Sequence, residues 1–530
     1  MLWDGAVTPP RGVEGQTPSS LVDRRAAATP GQVLLVDESG RRMTVEEFRT
    51  SAQHLTDRLR ATGIDRGSLV CWILPTRMEA LILSLALSRL GAVQIPVIPV
   101  YREREIGHIL DETALDAFIV TPRWRGFDYL ELCHDLSSSR GGRTAVLTME
   151  EVVDDSAAPV ARRVSHGAGR DMGGTRWIFY TSGTGGLPKG VKHGDAALAA
   201  AARGMSEHLA MTSEDRSGIA FPIAHIGGPI NVMAGLLAGS TLILVESFEP
   251  QRTSEVLARE GVTMAGSGTA FHLAYLEVQA QQPDRPLFPH LRCCPGGGAP
   301  KPLGLHERVK RELGGVGIVS GWGLTEAPVL SMGRPGDRDA QLAETEGSPL
   351  PGVQLRTVSS DGRTCQAGGQ GEIRARAPQM MLGYVDPSLT ADAFDDEGWL
   401  RTGDLGTIDQ ERYVRITGRL KDVVIRNGEN IGTAEVEELL RGHPHVADAA
   451  VFGLPDSRTG ERVCAVVEMV PTAPHLDLDG VGAFLSGRGL RRQALPEQLE
   501  TLDALPRTVA GKIDTRQLRE RFGAASSGSA

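Results

Sequence analysis

The stretch that decides the reading of this chain is Tyr180–His193, "YTSGTGGLPKGVKH". Thr181, Ser182 and Thr184 bring hydroxyl donors, and Gly183, Gly185 and Gly186 let backbone N–H groups approach an anion closely. Lys189 adds one positive charge. Taken alone, a short Gly/Ser/Thr stretch reads as an ordinary surface turn. This one follows an apolar run, "WIFY", directly and ends in Pro-Lys-Gly, which points to phosphate. A Walker loop does not fit. Counting back from Lys189, Gly183 stands where the first glycine belongs. Pro188 replaces the glycine before the lysine, however, and Gly190 replaces the hydroxyl residue after it.

Outward from that stretch, apolar runs and amphipathic helices alternate. Thr44 and Glu47 form a capping box for a helix to about Gly63, with Phe48, Ala52, Leu55 and Leu59 on one face. "SLVCWILP" reads as a buried strand, Arg77–Leu90 as a helix closed by Gly91, and "AVQIPVIPV" as a further strand. "WIFYTS", "DAALAAAARGMSEHL", "TLILV" and "GIVSGWG" continue the alternation, which predicts α/β layering with mostly parallel strands. Beyond about residue 350 short strands and turns dominate. From Lys421 a smaller α+β unit is expected, with Thr433 capping a helix through Leu440, two strands, and a last helix in "DTRQLRERF". The tail from Gly523 is small and polar, and reads as disordered.

A length of 530 residues requires more than one domain. The formal net charge of −10 argues against a general nucleic-acid binder. The six cysteines (Cys71, Cys133, Cys293, Cys294, Cys365 and Cys464) show neither CxxC nor zinc spacing and read as reduced thiols. The first residues lack the form of a signal peptide, and no apolar run is long enough to span a bilayer, so a cytoplasmic location is expected. Monomer and homodimer are both compatible with the sequence.

"YTSGTGGLPKGVKH" resembles the phosphate-binding signature of the adenylate-forming (AMP-binding) superfamily, which includes acyl-CoA synthetases, peptide-synthetase adenylation domains and beetle luciferases. Further motifs follow in the family's order, and the resemblance runs from about Leu21 to Phe522. "GGGAP", with Gly297, Gly298, Ala299 and Pro300, is similar to the adenine-contacting turn. In "GWGLTEAP" the resemblance implies that Trp322 packs on adenine, Thr325 contacts phosphate and Glu326 holds Mg2+. It implies that Asp404 in "GWLRTGDLG" binds the ribose hydroxyls and that Arg419 adds a ribose or phosphate contact. Lys512 in "LPRTVAGKID" matches the lysine that reaches carboxylate and α-phosphate together.

The resemblance implies ATP, Mg2+ and coenzyme A as reactants and cofactors, and two reactions over one intermediate. It implies a large N-terminal α/β domain with mixed sheets (1–418), a hinge (419–421) centred on Lys421, and a small mobile C-terminal α+β domain (422–522). The face carrying Gly428, Glu429 and Asn430 would replace Lys512 for the thioester step. His225, Ile226, Gly227 and Gly228 fall where amino-acid-activating relatives carry an aspartate. With Gly268 and Thr269 of "AGSGTAF" they are expected to line an acyl pocket, the glycines of that second stretch leaving room for a medium-chain, alicyclic or aromatic acid. His225 also admits a plain core role. The expected activity is AMP-forming acyl-CoA synthesis. Transfer to a carrier protein by an acyl-AMP ligase, luciferase-like oxygen chemistry and a nucleotide-binding regulator without catalysis are the alternatives.

Overall fold

The computed structural model describes residues 16–153, 164, 172–181, 188–298, 301–426, 429–456, 459–471, 473–490, 492–508 and 512–523. The amphipathic helix forms over Val45–Thr62. Thr44 accepts from the Glu47 N–H, Glu47 accepts in return from the Thr44 N–H at 2.7 Å, and Gly63 closes the helix at φ 96°. The next helix, Met78–Leu90, ends at Gly91 with φ 71°. Both closures use the left-handed region that glycine enters without a Cβ penalty.

A seven-stranded sheet holds the opening stretch. Its spatial order is Gly383–Tyr384, Lys189–His193, Trp177–Thr181, Val93–Val97, Leu69–Ile73, Ala117–Val120, Ala145–Thr148. The last five strands are parallel, and Lys189–His193 is antiparallel to both of its neighbours. Leu69–Ile73 is buried along its whole length, as a strand covered on both faces must be. The strand Trp177–Thr181 therefore leads not to a helix, as in a Walker loop, but to an antiparallel neighbour. Thr181 stands opposite Lys189, and Trp177 opposite His193.

A second, five-stranded sheet has four parallel strands, Met264–Ala265, Arg216–Ile219, Thr241–Leu244 and Val33–Val36, with Arg42–Thr44 antiparallel at its edge. The alanine-rich helix Asp195–His208 and its neighbour Gly227–Ala238 contribute to the main apolar core. Small side chains let the first of these pack closely. A Cβ on Gly204 would stand 2.7 Å from Leu350 Cδ1.

A four-stranded sheet follows (Cys294–Gly297, Ile318–Leu324, Ala327–Met332, Ser348–Pro349), then an antiparallel one (Gln354–Val358, Gly371–Arg376, Leu400–Ile408, Val414–Arg419). The small C-terminal domain has its own sheet, built on the long pair Val446–Asp456 and Gly460–Met469. Its apolar residues form clusters of their own. Two expectations are corrected here. Thr433 does not cap its helix; Gly432 does, and Thr433 is the first helical residue, buried in the domain. The tail read as disordered from Gly523 is corrected at its first residue, since Gly523 ends the helix Thr515–Gly523; residues 524–530 lie outside the described residues. Of the cysteines, only Cys365 is even partly exposed, and all six are free thiols. Among the described residues no helix is long and apolar enough to cross a membrane.

Candidate active site

Strand pairing sets Lys189 beside the acidic turn. Lys189–His193 pairs on its outer side with Gly383–Tyr384, and the exposed Lys189 carries its Nζ to 5.6 Å from the centroid of the Tyr384 ring. The Tyr384 hydroxyl donates to Glu326 Oε1 at 2.7 Å, and the Met381 N–H donates to the Glu326 carbonyl at 2.7 Å. Burial, then the charge and hydrogen bond of Glu326, push the Tyr384 phenol well above its ordinary pKa, so it stays a donor. Ser182, Gly183, Thr184 and Gly185 lie outside the described residues, but Thr181 and Lys189 mark where that segment leaves and re-enters the sheet.

The other side of the turn is held by His193. Its Nε2–H donates to the Thr325 carbonyl at 2.7 Å, which leaves Nδ1 proton-free, buried and without a hydrogen-bond partner among the described residues. Neither His193 nor Tyr384 stood out from sequence. His193 closes the quoted stretch, so its position was visible but its partner, 132 residues away, was not. Burial lowers the His193 pKa to about 4, outweighing the Thr325 hydrogen bond that raises it. In the unfolded chain the ring takes up a proton as pH falls through about 6.5. The unfolded state thus binds more protons between about 6.5 and about 4, and stability is lost as pH drops through that window, by at most about 1.4 kcal/mol per pH unit for this ring. Denaturant midpoints at pH 7 and pH 5 are expected to differ more in the wild type than in His193→Gln.

On the nucleotide side, Cys294–Gly297 runs parallel to Ile318–Leu324. Gly297 has φ 152°, and a Cβ there would lie 2.3 Å from the Gly321 carbonyl oxygen; Gly298 has φ 74°. Only glycine suits either place. Ala299 and Pro300 lie outside the described residues. Asp404, buried, stands opposite Arg419 across two strands. Its Oδ1 meets Arg419 Nε at 2.9 Å, and its Oδ2 accepts from Trp322 Nε1 at 2.8 Å. Trp322, Asp404 and Arg419 thus form one connected group. An ionised carboxylate has about four acceptor positions, so two bonds leave capacity for a ligand.

On the acyl side, His225 is exposed and its Nδ1 accepts from the Gly227 N–H at 3.2 Å, at the start of helix Gly227–Ala238. Ile226 is buried. Surrounding protein, and secondarily the charge of Lys512, lower the His225 pKa well below its ordinary value. Lys512, on the C-terminal domain, is itself exposed.

The glycines here act differently from expectation. A Cβ on Gly228 would meet the Ile223 carbonyl oxygen at 2.0 Å, and one on Gly268 would meet that of Gly297 at 3.0 Å. Neighbouring backbone fills the space their missing side chains leave, so they shape the wall rather than open it. Gly268 caps the helix that begins at Thr269 and brings it against the Gly297 turn.

Between Arg419 and Val423 the chain makes a single 3-10 turn, Leu420–Asp422, which contains Lys421. Glu429 and Asn430 belong to the strand Glu429–Gly432 of the C-terminal sheet, opposite Arg426 and Ile425; Gly428 lies outside the described residues.

Two family models match the chain: "AMP-binding enzyme" over residues 22–385 and "AMP-binding enzyme C-terminal domain" over residues 435–512. A medium-chain fatty-acid–CoA ligase of Escherichia coli (strain K12) is 31% identical, covering 95% of this chain and 90% of its own. An indoleacetate–CoA ligase of Aromatoleum aromaticum (strain DSM 19018 / LMG 30748 / EbN1) is 31% identical, covering 95% and 98%. The crystal structure of ATP-bound MatB from Rhodopseudomonas palustris superposes with a TM-score of 0.84 at 26% identity, covering 96% of this chain and all of that one.

Proposed function

The chain belongs to the AMP-binding enzyme family, and from that premise we propose that it is an AMP-forming acyl-CoA synthetase for a medium-chain, alicyclic or aromatic carboxylic acid. The observation that supports this reading is that Lys189 and Glu326, from distant parts of the chain, meet at the same Tyr384 side chain. A carboxylate oxygen attacks the α-phosphorus of ATP, and pyrophosphate leaves with the broken P–O bond. The sulfur of coenzyme A then attacks the acyl carbonyl, loses its proton, and AMP leaves.

Two anions meet in the first step, so cations govern it. Lys189 and Lys512 supply fixed positive charge where negative charge builds. Asp404, with Arg419, holds the ribose, and Trp322 forms the adenine wall. His225, kept neutral by its surroundings, lines the acyl recess without adding a charge that would pair with the substrate carboxylate in the wrong place. Residues 1–418 and 422–522 act as the two domains, with residues 419–421 between them.

Among the described residues there is no cluster of three or more metal-ligating side chains. A single carboxylate, Glu326, held by Tyr384 through one oxygen, fits Mg2+, which is commonly bound by one or two carboxylates together with substrate phosphates. When bound, the ion would neutralise phosphate charge.

The test is pyrophosphate release from a panel of carboxylic acids, with and without coenzyme A. Release with a medium-chain or aryl acid, and a thioester only when CoA is present, is expected. A panel that releases pyrophosphate but never forms a thioester with CoA overturns the acceptor. Asp404→Ala should weaken ATP and AMP alike, since two hydrogen bonds to a charged acceptor are lost at roughly 1.5–3 kcal/mol each. Calorimetry that shows unchanged AMP affinity would remove Asp404 from the ribose.

A further inference from the structure

One helix holds both Tyr180 and Pro188. Helix Glu103–Glu112 carries His108 and Glu112 four residues apart, hence on one face. The Tyr180 hydroxyl donates to Glu112 Oε2 at 2.7 Å. His108 Nε2–H donates to the Pro188 carbonyl at 2.9 Å. The two rings meet edge to face, with centroids 6.3 Å apart. Tyr101, just before the helix, donates its hydroxyl to the Tyr180 carbonyl at 3.5 Å. Gly190 is the cross-strand partner of Tyr180, and a Cβ there would lie 2.9 Å from Tyr180 Cζ, so the phenol reaches Glu112 by passing over a bare backbone.

We propose that Tyr180, Glu112 and His108 form a clamp that positions the cross-strand neighbours Thr181 and Lys189 for the ATP-dependent half-reaction alone. The proposal rests on the reading that Lys189 contacts the phosphates of ATP. The clamp residues are positioning residues. They hold the residues next to Thr181 and Lys189 through groups the substrate does not touch. Misplacing a catalytic cation by even an ångström is costly in rate. Burial, with the hydrogen bond and charge of Glu112, keeps the Tyr180 phenol protonated and therefore donating.

The experiment measures both half-reactions of the full chain: ATP–pyrophosphate exchange, and thioester formation from supplied acyl adenylate and CoA. Tyr180→Phe is expected to raise KM for ATP about tenfold, the loss of one hydrogen bond to a charged acceptor. Its thioester rate should stay within about twofold of wild type, because no pyrophosphate is held in that step. Glu112→Gln, which keeps an acceptor oxygen, should recover most of the ATP KM. His108→Phe, which keeps the ring and removes the donor, should move KM in the same direction as Tyr180→Phe. The clamp is overturned if Tyr180→Phe and His108→Phe both keep the wild-type KM for ATP, or if both half-reactions fall in parallel, as general destabilisation would produce. Lys189→Ala separates the two readings. If it leaves the ATP KM unchanged, the phosphate assignment itself fails. If it raises KM while Tyr180→Phe does not, the clamp alone fails.

Discussion

Lys512→Ala is expected to lose ATP–pyrophosphate exchange by about two to three orders of magnitude, the cost of removing one preorganised stabilising group from a transition state. The same variant should still convert supplied acyl adenylate to thioester at close to the wild-type rate. The selectivity follows from placement. Lys512 sits on the C-terminal domain and is near enough to His225 for its charge to lower the His225 pKa. That proximity provides a second readout. Without the ammonium, the His225 pKa should rise towards its ordinary value. NMR titration of the ring checks this. Equal loss of both half-reactions in a folded protein would take the step-specific role away from Lys512.

Lys421→Pro carries the other large effect, in the opposite half-reaction. Residues 420–422 form a 3-10 turn in the arrangement in which the charge of Lys512 is felt at His225. The φ of such a turn, about −50° to −70°, overlaps the value near −65° that proline imposes. Proline also lacks an N–H that a first helical turn does not need. The arrangement with the 3-10 turn at 420–422 therefore tolerates proline. A swing that changes φ at 421 does not. Pyrophosphate exchange is expected within a few-fold of wild type, with thioester formation reduced by orders of magnitude. If proline leaves both rates alone, the hinge lies elsewhere; if it reduces both together, the turn serves folding and not motion.

Much of the architecture was legible because its causes are local. The Thr44–Glu47 box, Gly63 and Gly91 announce helix ends through groups three or four residues apart, and the helices end there. The uninterrupted apolar run Leu69–Ile73 announces a strand covered on both faces, and all five residues are buried. Thr433 misled for the same reason. A hydroxyl before an apolar run is a cap signal, but tertiary packing buried this one and left Gly432 at the cap position.

What the sequence alone offered is a candidate cast for the site, Lys189, Trp322, Thr325, Glu326, Asp404, Arg419 and Lys512, each in a short motif that resembles one of the family's. The tertiary structure alone decided who holds whom. His193 to Thr325, Trp322 to Asp404 and Tyr384 to Glu326 span 132, 82 and 58 residues. The grip of Glu112 on Tyr180 spans 68. Such partners are set by which strands lie side by side in a sheet and which helix covers its edge. Strand order is a global outcome of burying apolar faces, and no local periodicity records it.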